Sequence, residues 1–399
     1  MQNQHTQAPK FVLILILGSL TAFGPLSMDM YLPALPNIAS DLSASTSLVQ
    51  ISLTATLLGL GFGQLIFGPL SDIHGRRKPL TFTLIAFTLS SILIALSPNI
   101  TFFIFFRFLQ GFTGAAGIVI ARAAARDLYS GKDLTKFIAS LALVNGAAPI
   151  LAPVFGGIIL NFTTWVGVFY ILALIGILMY AGVIFFLPET LQKENRAESG
   201  IFSVLKTFSK LLKDKFFMGI AITQAFIMGS MFAYIAGSPF ILQNLYGVSP
   251  QQFSFFFALN SIGIVISAQT SGRLATYFKE INILFFGVIM SFSGSILLAI
   301  VVWQELSLAF ISFALFVVVS SVGVVSPTAF SLAMETQGKS AGSASAFLGL
   351  IPFLGGAIVS PLVGLAGELS ATPLAVITLL CSSNALITFL YVRNIKSNV

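Results

Sequence analysis

Twelve runs of mostly apolar residues follow one another along the 399-residue chain, each of about the 20 residues that a helix needs to cross a lipid bilayer. They cover roughly 11–36, 46–70, 79–97, 101–128, 135–160, 165–188, 216–243, 251–275, 281–302, 307–334, 340–366 and 372–393. Lys and Arg occupy alternate gaps between them. On one predicted side lie 18 of the 20 basic residues, and the other two, Arg107 and Arg122, fall inside the fourth run. The opposite loops carry only Asp41, Glu305 and Glu368. Basic loops stay in the cytoplasm, so the alternation supports twelve crossings with both termini cytoplasmic.

Composition points the same way. Charged residues make up 8% of the chain and hydrophobic ones 56%, whereas a soluble domain needs about a quarter charged. The net charge of +7 follows from the basic loops and does not require a nucleic-acid partner. A single cysteine, Cys381, excludes an intrachain disulfide, and with only His5 and His74 beside it no structural zinc site is expected. The first run is too long for a cleaved signal peptide and leads into no soluble domain.

The one long charged gap, 189–215, divides the chain into six runs plus six. We read it as a solvated cytoplasmic linker, with Phe202–Leu212 open to forming a short surface helix. The halves echo each other: Gly68-x-Leu70-Ser71 returns as Gly272-x-Leu274-Ala275, and Ala152-Pro153-x-x-Gly156 as Ser360-Pro361-x-x-Gly364. The offsets, 272 − 68 = 204 and 360 − 152 = 208, are nearly equal and predict an internal repeat. The expected fold is therefore all-α and membrane-integral, with two pseudo-symmetric six-helix bundles at 1–188 and 216–399.

Ionisable groups at membrane depth are costly and mark function. Asp29 sits between Pro25 and Pro33 and reads either as an interfacial acid or as a buried carboxyl that gains and loses a proton. Arg107, in the antiparallel fourth run, lies at similar depth by a rise of about 1.5 Å per residue. It cannot shed its proton and needs an acceptor, so it is expected near Asp29; the alternative is structural glue between helices. Arg122 is open to both readings. The second half has no charge deep in a run. Tyr234, Asn260, Gln269 and Gln224 there are candidate polar contacts, or else helix–helix hydrogen bonds.

Motifs extend the reading. Gly68-Pro-Leu-Ser-Asp72-Ile-His-Gly75-Arg76-Arg77-Lys78 resembles the loop between helices two and three of the major facilitator superfamily. Arg107-Phe-Leu-Gln110-Gly111 resembles its fourth-helix motif, and Ala152-Pro153-x-x-Gly156-Gly157 its fifth-helix antiporter motif. Met28-Asp29-Met30-Tyr31-Leu32-Pro33-Ala34-Leu35-Pro36 is similar to the first-helix signature of the Bcr/CflA drug-resistance branch, as are Arg122 with Arg126-Asp127 and Gly237-Ser238-Pro239-Phe240. Three departures stand out: Ala152 replaces a glycine, Ile73 an arginine, and Thr21 lies where some relatives carry a second acid.

What the resemblance implies is proton-driven export of small drug-like molecules, such as chloramphenicol or bicyclomycin, by alternating access in a bacterial inner membrane. Proton coupling would fall to Asp29 and Arg107. Substrate would meet Asp29, Tyr31, Arg107, Gln110, Asn145, Tyr234 and Asn260. Gly68, Asp72, Gly75, Arg76, Arg126, Pro153, Gly156 and Gly157 would serve gating. The partners expected are a small molecule, protons and lipid, with no cofactor, metal or nucleic acid, for a monomeric chain that is not an enzyme. Export of a natural metabolite, or proton-coupled uptake, is the alternative; a receptor would need an appended signalling domain.

Overall fold

A computed structural model describes residues 10–196, 209–335, 337 and 341–397, and every regular element among them is helical. Twelve long helices run in order: α1 (Lys10–Asp29), α2 (Thr46–His74), α3 (Arg77–Ala95), α4 (Ile100–Leu128), α5 (Gly131–Ile159), α6 (Trp165–Phe186), α7 (Lys215–Phe240), α8 (Pro250–Leu274), α9 (Glu280–Trp303), α10 (Leu308–Met334), α11 (Ala341–Val359) and α12 (Thr372–Ser397). Eleven of the spans are long and apolar enough to cross a membrane. The twelfth predicted run is the 29-residue α5, whose apolar portion among the described residues is Gly146–Ile159. Large apolar side chains such as Phe82, Phe105, Phe185, Phe286 and Phe313 are exposed, as lipid-facing surfaces require. Most of the surface helix considered over Phe202–Leu212 lies outside the described residues.

Local chemistry sets the breaks. The chain passes helically through Pro25 and stops at Asp29. Pro33 lacks the N–H that the Asp29 carbonyl would accept four residues on, and it disfavours helix at Leu32. A 3-10 turn, Leu32–Ala34, and a seven-residue helix, Leu35–Asp41, follow. Asn99 caps α4 by accepting from the backbone N–H groups of Thr101 and Phe102, and Ser249 with Gln252 forms a capping box on α8.

Two compact units result: Met1–Tyr31 with Leu58–Ser203, and Leu32–Leu57 with Val204–Val399. In the first, α1 packs on α4 and α5 while α3 packs on α4 and α6. In the second, α7 packs on α10 and α11 while α9 packs on α10 and α12. The pairing scheme thus recurs, as the sequence echo predicts. A side chain at Gly59 would strike Phe108 and Phe112 of α4, and one at Gly263 would strike Phe316 and Ser320 of α10. The spacings, 263 − 59 = 204 and 316 − 108 = 208, are those of the motif echo. Buried Leu17, Leu20, Phe23, Leu84, Phe87 and Ile120 form part of the first unit's apolar core.

In the second unit the N-terminal part of α2 presents one polar face, at positions i, i+3 and i+7. The Ser47 hydroxyl donates to the Pro361 carbonyl at 3.1 Å, Gln50 Nε2 to Ala236 at 3.0 Å, and the Thr54 hydroxyl to Ala357 at 3.0 Å. Pro361 has no N–H to offer Ala357, so Thr54 supplies the donor that the proline removes.

Candidate functional site

Where α1 ends, its last carbonyls have no helical donor. One of them, Ser27, accepts from Arg107 Nη1 at 2.9 Å. The same nitrogen donates to Gln110 Oε1, and Gln110 Nε2 in turn donates to the Ser91 hydroxyl at 2.7 Å. A cation at a helix C-terminus also complements the helix dipole. The guanidinium carbon lies 4.1 Å from the Tyr31 ring centroid and 5.6 Å from that of Phe169, within cation–π range. Phe103 and Trp165 complete the aromatic wall by edge contacts with Phe169 or with each other. Arg107 is 0% exposed and Asp29 3%.

Asp29 Oδ1 has no hydrogen-bond partner among the described residues, nor do Nε and Nη2 of Arg107. The two groups lie within electrostatic reach of each other but do not form a direct ion pair. One buried acceptor and two buried donors therefore stand unsatisfied within electrostatic reach of each other, and each such group in a folded interior asks for an explanation. Beside them, α5 meets the end of α1 without an intervening side chain: a Cβ at Gly156 would overlap the Met30 carbonyl oxygen. Pro153 and Gly157 flank that contact on α5. Asn145 also lies on α5, and its side chain is outside the described residues.

The loop motif builds a second constellation, also within the first unit. Arg76 pairs with Asp72 and, at 2.9 Å through Nε, with Asp127 of α4; its Nη1 also donates to the Ser71 hydroxyl at 2.9 Å. Burial works against the Arg76 charge, but the hydrogen bonds and charges of Asp127 and Asp72 outweigh it and hold its pKa above the ordinary value. Gly75 has φ of +89°, a conformation that L side chains rarely adopt. Gly68 faces open space and Arg126 is exposed. Arg122 is exposed as well.

At the start of the 189–215 linker, the exposed Glu189 also makes a specific set of contacts. Its carboxylate accepts from the backbone N–H of Arg76 at 2.8 Å, of Arg77 at 3.2 Å and of Leu191 at 3.1 Å. It thereby caps α3, whose own N-cap residue Arg76 supplies no side-chain cap. A carboxylate at a helix N-terminus gains from both the free N–H groups and the dipole. The sequence signal was an acid directly after a proline at the end of a span, in Leu187-Pro188-Glu189.

In the second unit Asn260 Nδ2 donates to the Tyr234 hydroxyl at 2.8 Å, and the Tyr234 ring stacks on Phe257 with centroids 5.5 Å apart. Both residues are buried. Of the residues singled out in the sequence, Asp29, Tyr31, Arg107 and Gln110 come together in the first unit, and Tyr234 with Asn260 in the second.

Comparison with known proteins places these features in context. Residues 17–360 match the Major Facilitator Superfamily. The uncharacterized MFS-type transporter YdgK of Bacillus subtilis is 46% identical, with 94% of each chain covered. A bicyclomycin resistance protein homolog of Haemophilus influenzae is 31% identical over 98% of this chain and 99% of that protein. A bacterial homolog of the human lysosomal transporter Spinster, solved in an inward-facing and occupied conformation, shares the fold with a TM-score of 0.76 at 13% identity, with 96% of each chain covered.

Proposed function

The chain belongs to the Major Facilitator Superfamily of membrane transporters, and from that premise we propose that it exports small drug-like molecules in exchange for protons by alternating access. The observation that carries the proposal is the buried carboxyl of Asp29, one oxygen of which has no hydrogen-bond partner among the described residues, within electrostatic reach of Arg107, two of whose donors likewise have none. A carboxylate and a permanent cation in low dielectric attract strongly, and protonating the acid removes that attraction. Substrate and proton then compete for one set of groups. Ionised Asp29 with Arg107 favours the substrate-binding state, and a proton arriving at Asp29 favours release. The membrane potential alone contributes about 2.3 kcal/mol per charge per 100 mV.

Tyr31, Gln110 and Asn145 are assigned to substrate contact with this pair, and Tyr234 with Asn260 supplies neutral polar and aromatic contacts. Gly68, Asp72, Gly75, Arg76, Arg126, Pro153, Gly156 and Gly157 are assigned to gating. The resistance name of one relative supports a drug-like substrate, and the basic-loop alternation supports cytoplasmic termini in a bacterial inner membrane. Two six-helix bundles at 1–188 and 216–399, joined by 189–215, are the moving parts of a monomeric carrier.

The test uses inverted vesicles or proteoliposomes with an imposed pH gradient and a panel of antibiotics. Wild type releases protons from the vesicle as it takes up drug. Asp29→Asn retains binding but loses the pH-gradient dependence of flux. Full proton coupling in that variant refutes the role of Asp29, and accumulation along the proton gradient identifies a symporter instead.

A further inference from the structure

The loop joining α8 to α9 carries a feature apart from the two constellations described above. Leu274, Phe278, Asn282, Ile283 and Phe286 line a groove of about 270 Å³. Phe278 and Phe286 are more than half exposed, so the groove is open to the surroundings of the protein. Its wall is apolar apart from the exposed Asn282 amide. Arg273 and Lys279 are the chain neighbours of lining residues Leu274 and Phe278, and both are exposed. Neither makes an ion pair among the described residues. The nearest acid in sequence, Glu280, stands in the first turn of α9 and accepts from the Ser331 hydroxyl of α10 at 2.9 Å, so one negative charge stands against the two positive ones and the segment keeps a net positive charge. The 24-residue α9 begins there without a side-chain cap, so its positive dipole end adds to the two cations.

We propose that this groove is a binding site for an anionic phospholipid, with one acyl chain against Phe278, Ile283 and Phe286 and the phosphate between Arg273, Lys279 and the start of α9. Charge complementarity decides the occupant. Two cations with no ion pair among the described residues, against the single acid Glu280, at the rim of an apolar groove fit a phosphate carrying a hydrocarbon tail. A zwitterionic lipid brings a compensating ammonium and satisfies them less well. A free phosphate ester would leave the groove uncovered. Basic residues near a membrane surface each favour anionic lipid by about fivefold. The inference is independent of the exported substrate and of proton coupling.

The experiment is native mass spectrometry of the purified full chain with phosphatidylglycerol or phosphatidylcholine at matched concentrations. Wild type is expected to retain phosphatidylglycerol preferentially. The double variant Arg273→Gln with Lys279→Gln, two exposed positions, should lose about 30-fold of that preference. A control at another basic loop, Lys213→Gln with Lys215→Gln, should keep it. Phe286→Ala should weaken retention of both lipids. Equal binding of the two lipids by wild type, or an unchanged preference in the Arg273 and Lys279 variant, overturns the proposal. Displacement of the lipid by glycerol 3-phosphate alone overturns it too, since the groove would then contribute nothing.

Discussion

Arg107 rests its guanidinium 4.1 Å from the ring centroid of Tyr31, two residues beyond the only acid in α1. One nitrogen is occupied by Ser27 and Gln110, the ring covers one face of the cation, and Nε and Nη2 on the same rigid plane meet no hydrogen-bond acceptor at bonding distance among the described residues. The fork geometry of arginine is what allows those three relationships at once.

Arg107→Lys keeps the charge and loses the fork. A lysine ammonium cannot hold the Ser27 carbonyl and the Gln110 amide while also presenting two more donors in a plane. Drug flux in proteoliposomes is expected to fall at least tenfold, about 1.4 kcal/mol or more, with normal expression and monodispersity. Tyr31→Leu removes the cation–π contact, worth up to about 2 kcal/mol when desolvated, and should lower the apparent melting temperature. Tyr31→Phe keeps the ring and should retain most of that stability.

Gly156→Ala places a methyl group on the Met30 carbonyl oxygen, and backbone on both sides leaves nothing flexible to yield. Overpacking of this kind costs about 1–3 kcal/mol. Because α5 then stands off the end of α1 next to Asp29, thermal stability and flux should decline together. Gly146→Ala in the same helix meets no atom within 4 Å and should be neutral or slightly stabilising. Equal melting temperatures for the two variants would show that the close approach carries no energy.

Much of this architecture was legible because lipid simplifies the problem. Apolar length gives the helices, and Lys and Arg placement gives their alternation. The rarity of charge at membrane depth leads to Asp29 and Arg107. The details that escaped depend on groups that sequence does not display. Ser27 holds Arg107 through its backbone carbonyl, which any residue would offer. Glu189 finds α3 across 113 residues, a distance that no local pattern encodes. Ser47, Gln50 and Thr54 share one face of α2, a period that is readable, but their acceptors are the carbonyls of Pro361, just past the end of α11, of Ala236 in α7 and of Ala357 in α11.

Glu189→Ala removes the carboxylate that satisfies the first N–H groups of α3. Loss of a cap costs about 1 kcal/mol, concentrated in the first turn of α3 and in the Gly75 turn. Hydrogen exchange should accelerate about fivefold at Arg76 and Arg77 and remain unchanged in α9. Glu189→Gln retains an acceptor oxygen and should show a smaller change. Arg126→Ala, at an exposed position, should alter stability by less than about 0.5 kcal/mol.

Thr54→Val exchanges a hydroxyl for a methyl at nearly constant volume, so its effect isolates one hydrogen bond. The Ala357 carbonyl already lacks a helical donor because Pro361 follows four residues later, and Thr54 supplies the replacement at 3.0 Å. Hydrogen bonds between membrane helices average about 0.6 kcal/mol and reach about 1.7 kcal/mol. This one should lie toward the upper value, since Pro361 offers the Ala357 carbonyl no N–H at the usual helical position. Thr81 provides the comparison: its hydroxyl donates at 2.8 Å to Arg77 of its own helix, a carbonyl that the helix can also satisfy. Thr81→Val should therefore change the denaturation midpoint little, while Thr54→Val lowers it measurably and Pro361→Ala, which restores the missing N–H, reduces the penalty of Thr54→Val.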